Sequence, residues 1–183
     1  MLSCFENLLN NCSGCRLCDL HKTRNNIVFG SGNKDSSIMF IGEAPGENED
    51  LSGKPFMGRS GRLLDRMLSQ IGLSRDNIFI ANIVKCRPPL NRNPNKTEIS
   101  KCIPYLFKQI EIINPKIIVC LGRVAACEII SKDFKVTSQH GQWICKNQRM
   151  YMGTFHPAAL LRNPNNIPFA EQDFFEIKKQ LIR

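Results

Sequence analysis

The sequence predicts an α/β fold, a three-layer α/β/α sandwich around a central four-stranded parallel sheet. Two observations carry this expectation. Four short apolar runs alternate with longer segments whose apolar residues recur at helical spacing. Alternation of that kind packs the strands in parallel and sets the helices on both faces. The chain has no internal repeat, low-complexity tract or linker, so a single domain is expected over residues 1–183.

The first strand is expected at about Ile38–Ile41, a short run of large apolar residues suited to burial on both faces. A helix follows over about Ser60–Ile71, with Leu63, Leu64, Met67, Leu68 and Ile71 on one side and Gly72 as its stop. The second strand is Ile78–Val84. The next helix, about Thr97–Ile113, carries Ile99, Ile103, Leu106, Phe107, Ile110 and Ile113 at helical spacing, and Asn114-Pro115 ends it. Lys116–Leu121 is the third strand, followed by a helix over about Val124–Ile130. Met150–Phe155 is the fourth strand, and the last helix runs from about Phe169 to Leu181.

The segment after the first strand is the most informative. Gly42-Glu43-Ala44-Pro45-Gly46-Glu47-Asn48-Glu49-Asp50 turns sharply and presents several carboxylates. Ligands of open parallel sheets bind just beyond the carboxyl ends of the strands, so this turn is a candidate catalytic loop. Asn82 lies late in the second strand, Gly122 and Arg123 follow the third, and His156 follows the fourth. A parallel sheet puts all of these at one edge, where a carboxylate, an amide and an imidazole together make an active-site constellation.

Composition narrows the class. At 183 residues, 42% hydrophobic, the chain can bury a substantial core. It has no run near the roughly 18 apolar residues of a membrane span. Its first residues lack the basic and apolar regions of a signal peptide, so a cytoplasmic protein without a membrane partner is expected. The formal charge of +9 is spread along the chain and suits a polyanion such as DNA.

Nine cysteines are many for a reducing compartment, where disulfides are rare. Cys15-Arg16-Leu17-Cys18 is a C-x2-C, with Cys12 one step earlier in the same register. Cys86 and Cys102 form a second, wider pair. Two thiolates from each pair could complete a tetrahedral zinc site or hold a [4Fe–4S] cluster, and spacing does not separate these. Cys120 and Cys127 sit in apolar runs and read as small core residues. The chain lacks a Walker A loop, a G-x-S-x-G elbow and a dinucleotide-binding glycine fingerprint.

Several segments in order resemble the family-4 uracil-DNA glycosylases, the iron–sulfur type of bacteria and archaea. They are the acidic loop from Gly42, Gly53-Lys54-Pro55-Phe56-Met57-Gly58-Arg59, Ile80-Ala81-Asn82-Ile83-Val84, Lys85-Cys86-Arg87-Pro88-Pro89, Asn114-Pro115-Lys116-Ile117-Ile118-Val119 and His156-Pro157-Ala158-Ala159-Leu160-Leu161. The resemblance covers nearly the whole chain from Cys15 onward. It departs in small ways: Asp19 stands where proline is frequent, and Met57 replaces a common valine.

The resemblance implies a uracil-DNA glycosylase-like fold. It also implies a monomeric base-excision-repair enzyme acting on uracil-containing DNA, single- or double-stranded. It assigns Cys15, Cys18, Cys86 and Cys102 to a [4Fe–4S] cluster and leaves Cys12 without a counterpart. Gly42, Glu43, Glu49, Phe56, Asn82 and His156 match pocket positions, with Glu43, Glu49 and His156 in catalysis. Leu160, Leu161 and Arg162 match the loop that presses into DNA.

These residue types suit the reaction. A base inside a duplex must be extruded to be reached. Phe56 offers a flat face to the flipped ring, and the Asn82 carboxamide can accept from uracil N3–H and donate to O4. His156 can donate to O2 as the departing uracil becomes an anion. Glu43, ahead of Glu49, is the candidate to position water and stabilise the cationic sugar, and the resemblance also implies that Glu49 crowds the C5 side against thymine. Two other classes compete: a metal-stapled nucleic-acid-binding module without chemistry, and a magnesium-dependent phosphodiesterase. A pure binder has no need of the three polar residues at one edge, and a phosphodiesterase would cleave strands only with added metal.

Overall fold

The computed structural model describes residues 3–182. Met1, Leu2 and Arg183, the ends of the domain expected over 1–183, lie outside the described residues. In chain order the elements are α1 (Cys4–Ser13), β1 (Ser31–Gly32), β2 (Ile38–Gly42), α2 (Glu47–Ser52), α3 (Arg59–Gln70), β3 (Phe79–Asn82), α4 (Lys96–Ile113), β4 (Ile117–Leu121), α5 (Arg123–Ile129), α6 (Val136–Gln139), β5 (Trp143–Lys146), β6 (Arg149–Thr154), α7 (Pro157–Arg162) and α8 (Ile167–Leu181). Among the described residues no helix is long and apolar enough to cross a membrane.

The strand order is β1-β3-β2-β4-β6-β5. The pairs β2–β3, β2–β4 and β4–β6 are parallel, while β1 and β5 join the two edges antiparallel. The sheet is therefore six-stranded and mixed, not the four-stranded parallel sheet expected. Neither added strand announces itself in sequence. Ser31–Gly32 is two residues long, and β5 is largely exposed with no apolar alternation. The antiparallel edges cap the parallel pairs.

Side chains alternate across the sheet and feed two cores. Met39 and Ile41 of β2 pack with Leu106, Ile110 and Ile113 of α4 and Ala125 and Ala126 of α5. Ile38 and Phe40 pack on the other face with Leu63, Leu64, Met67 and Leu68 of α3 and Phe174 and Ile177 of α8. Phe40 is fully buried and stacks on Phe174 with ring centroids 5.9 Å apart. Removing that ring would cost about 3–5 kcal/mol.

Register places the functional edge. Gly42 stands opposite Asn82, and Leu121 opposite Thr154, so the ends of β2, β3, β4 and β6 come out level. Beyond its strand, β3 continues through Ile83 and Val84, whose N–H groups donate to the carbonyls of Gly42 and Glu43 at 2.9 and 3.2 Å. The acidic turn is thus pinned to its neighbour. It then enters α2 where sequence alone suggested a loop.

Candidate functional site

At the carboxyl edge of the sheet lies a cleft of about 630 Å³. Glu43, Glu49, Phe56, Asn82, Arg123, His156 and Arg162 all line it. Gly42 makes the closest approach possible: a Cβ there would lie 2.4 Å from Asn82 Oδ1 and 2.7 Å from the Phe56 ring. Any larger residue would drive these two groups apart.

Asn82 is 2% exposed, and its Oδ1 is buried without a hydrogen-bond partner. Buried acceptors are nearly always satisfied, so this oxygen is held ready for a donor from outside. Behind it, Lys85 is wholly buried. Its ammonium donates to the Asn82 carbonyl at 2.9 Å and to Gln109 Oε1 at 2.6 Å, and Gln109 Nε2 donates to the Phe29 carbonyl. Burial pulls the Lys85 ammonium down to about 8. This support was not foreseen from sequence, where Lys85 was only one member of a matching segment.

The two carboxylates differ. Glu49 is buried and accepts three backbone N–H bonds, from Gly46 at 2.9 Å, Met57 at 2.6 Å and Gly58 at 2.9 Å. It ties the start of α2 to the loop carrying Phe56. Glu43 is half-buried, and among the described residues no hydrogen bond engages its carboxylate. Burial raises its pKa above the ordinary carboxylate range, and the charges of Arg123 and Arg162 oppose that rise. Glu43 is the carboxylate free to act on something in the cleft.

Phe56 holds a left-handed backbone at φ 55°, which is uncommon for a residue with a side chain. Arg75 fixes it. The guanidinium donates to the carbonyls of Pro55 and Phe56 while paired to Asp65 at 2.7 Å. The Phe56 ring stacks on the His156 imidazole, with centroids 5.6 Å apart. Arg75 carries no motif signal and was missed by the sequence reading.

His156 is the N-cap of α7. Its Nδ1 accepts from the Ala158 N–H at 3.1 Å. An accepting Nδ1 leaves the proton on Nε2 in the neutral ring. Burial, then Arg162, pushes its pKa down to about 4. His156 is therefore a neutral donor at pH 7. Gly122 (φ 89°) makes room for it, since a Cβ there would lie 2.8 Å from the His156 Cβ. Beneath, Thr154 and His140 both bond the buried Asp173 carboxylate, tying the end of β6 to α8.

The segment expected to press into DNA, Pro157–Arg162, forms α7. Leu160, expected against DNA, is fully buried in the core. As the fourth residue of a short amphipathic helix it faces α3 and not solvent. Leu161 is half-exposed beside Arg59, Arg62 and Arg66, and Arg162 lines the cleft.

A second cavity, across the sheet end, is lined by Cys12, Cys15, Cys18, Cys86 and Cys102 together with Arg24, Lys85 and Tyr105. The Lys85 N–H donates to Cys102 Sγ at 3.2 Å and Arg24 Nη1 to Cys86 Sγ at 3.2 Å. Burial raises the thiols of Cys12 and Cys102 to about 12 and 11, partly offset by Lys85. Among the described residues no three His, Cys, Asp or Glu side chains converge closely enough for a single metal ion. Cys12, at the end of α1, is 1% exposed and lies in this cavity with the four cysteines of the expected set. Cys120 is buried in the core, and Cys127 is partly buried.

Comparison with known proteins agrees on one family. Residues 29–181 match the model of the uracil DNA glycosylase superfamily. The chain is 48% identical to a type-4 uracil-DNA glycosylase of Sulfurisphaera tokodaii over 92% of this chain and 80% of that protein. It is 42% identical to one of Archaeoglobus fulgidus, over 94% and 90%, and 45% identical to one of Thermotoga maritima, over 83% and 80%. A type-5 enzyme of Pyrobaculum aerophilum is more distant, at 28% over 74% and 67%. The chain belongs to the uracil-DNA glycosylase superfamily and, within it, to the type-4 family.

Proposed function

We propose that this chain extrudes uracil from DNA and hydrolyses its N-glycosidic bond, releasing the free base and leaving an abasic site. The observation that carries this reading is the buried, unpartnered Oδ1 of Asn82, a residue that lines the cleft together with a neutral histidine and an unengaged glutamate. Uracil N3–H satisfies that oxygen, and O4 accepts from Nδ2. Cytosine presents an acceptor at N3 and a donor at N4, so both contacts turn repulsive. Phe56, fixed by Arg75, sets one wall of the base pocket.

As the glycosidic bond breaks, charge moves onto the base and the sugar becomes cationic. His156 Nε2–H donates to the developing anion at O2, and its low pKa means no proton need first be lost or gained. The Glu43 carboxylate orients water toward the sugar carbon and stabilises the cation. Glu49 shapes the site through the three amides it holds.

Cys15, Cys18, Cys86 and Cys102 are proposed to hold a [4Fe–4S] cluster. The residues present fit it. Cys15, Cys18, Cys86 and Cys102 all line one cavity, and their four thiolates would match the four irons of such a cluster, one to each. N–H groups of Lys85 and Arg24 already point at two of the sulfurs. When bound, the cluster would serve as a structural tie between the segment after α1, the segment after β3, and α4. We further propose that residues 1–183 act as one monomeric domain in the cytoplasm, and that the +9 charge draws it to DNA.

Asn82→Asp tests the base reading. The ratio of single-turnover rates on matched uracil and cytosine oligonucleotides should fall by about 100-fold or more, since sites built on buried hydrogen bonds discriminate by roughly 10⁴. An unchanged ratio would show that Asn82 does not read the base.

A further inference from the structure

Drawing a nucleotide out of a duplex leaves a gap in the base stack, and proteins that unstack DNA commonly insert an apolar side chain between bases. The residue expected to face DNA on α7, Leu160, is fully buried, and Leu161 lies half-covered among arginines. On a different stretch of the cleft rim, the segment after β3 presents Leu90. At 96% exposed it is the most exposed large apolar side chain among the described residues.

Two features show that this exposure is held in place. The Leu90 backbone is left-handed, φ 55° and ψ 23°, a conformation uncommon for a bulky residue and kept only where the surroundings enforce it. The surroundings do so. Pro88 and Pro89 stiffen the approach, and the N–H groups of Asn91 and Arg92 bond back to their carbonyls at 3.1 Å. Arg87 Nε donates to Asn91 Oδ1 at 2.8 Å. Arg92 forks onto Glu98 at 2.9 and 2.6 Å, and Glu98 in turn closes the N-terminal cap of α4. The neighbours Pro88, Asn91, Arg92 and Asn93 line the cleft. An apolar side chain is thus mounted on a braced, strained turn at the mouth of the pocket, where neither the exposure nor the strain serves the fold.

We propose that Leu90 is a wedge that enters the base stack of duplex DNA beside the target nucleotide and keeps the stack open while uracil occupies the cleft. This rests on the cleft being the uracil site. The arginines beside Leu90 are held by Asn91 and Glu98, so the turn stays rigid as it meets the duplex. A single strand has no continuous stack to part, so the wedge matters for duplex substrates.

The test compares the unaltered protein with Leu90→Ala, Leu90→Gly and Leu90→Phe. Single-turnover excision is measured on uracil in a single strand and in a duplex, with 2-aminopurine beside the uracil to report unstacking. The duplex-to-single-strand rate ratio should fall about tenfold or more in the Ala and Gly variants, with a smaller 2-aminopurine rise. Leu90→Phe should restore most of both. Leu90→Gly relaxes the left-handed backbone and should melt no lower than the unaltered protein, which separates a lost wedge from lost folding. A ratio within twofold in both small variants would overturn the proposal and leave Leu90 to a protein partner. Equal losses on both substrates would also overturn it, making Leu90 part of the pocket. Absence of uracil release by the unaltered protein on either substrate would instead remove the reading of the cleft itself.

Discussion

Replacing Glu49 and Glu43 separately by glutamine should separate their roles. Glu49 accepts from Gly46 on Oε2 and from Met57 and Gly58 on Oε1. Glutamine can keep its oxygen on the Met57 and Gly58 side, but its NH₂ then faces the Gly46 N–H, donor against donor. The loss is one hydrogen bond to a charged acceptor plus an unsatisfied buried N–H, about 2–3 kcal/mol. In a chain of this size each kcal/mol moves the thermal midpoint by roughly 2–4 °C. Glu43→Gln removes a half-buried charge with no hydrogen bond to lose, so its midpoint should hold or rise.

The pH dependence gives the second axis. Burial raises the Glu43 pKa, so its ionised fraction falls as pH drops through a value above the ordinary ~4.3. If the ionised form acts, the single-turnover rate falls on the acid side with that raised pKa. Glu43→Gln should lose this limb and at least about 100-fold in rate, whereas Glu49→Gln should melt lower and keep the limb. Thermal melts and rate–pH profiles on a uracil oligonucleotide decide the matter. A Glu49→Gln protein that melts normally yet loses the acid limb would refute the assignment.

His156→Ala should cost on the order of 100-fold in the chemical step, as for loss of an oxyanion donor, with binding of undamaged DNA nearly unchanged. Because the His156 pKa is held near 4, the rate profile of the unaltered protein should show no inflection near the ordinary histidine value of about 6.5. The purified protein should be brown with about four irons. Cys86→Ala should lose both colour and iron, while Cys12→Ala should keep them; iron analysis and absorption spectra check this. DNA binding should weaken steeply with salt, and Arg162→Ala should shallow the salt slope by about one unit if it meets a phosphate.

The four parallel strands and the long helices were legible because their apolar periods are strong. Leu63, Leu64, Met67 and Leu68 could lie on one face of only a helix. The capping box of Ser3 and Glu6 that starts α1 was also there to be read, but interrupted apolar spacing hid the helix behind it. Placing Glu43, Asn82, Gly122 and His156 at one edge followed from topology alone, and all four line one cleft. What holds them was not legible. Asp50 looks like one more carboxylate of a solvated turn, yet it is buried and binds the Asn25 and Asn26 amides. Arg75 reaches the Pro55 and Phe56 carbonyls far back along the chain, and Lys85 joins the nearby Asn82 carbonyl to the side chain of distant Gln109; no local pattern encodes such partners. The burial of Leu160 depends on how α7 leans on α3, which residue types in sequence do not fix.

The most direct measurement is incubation of the protein with a single-uracil oligonucleotide in a chelator of divalent cations, with free base and strand integrity followed together. Glycosidic hydrolysis requires free uracil to appear in step with alkali-labile sites, the strand remaining whole until alkali is added. Strand breaks without alkali that depend on added magnesium, or an oligonucleotide left unchanged by protein whose cluster is intact, would contradict it.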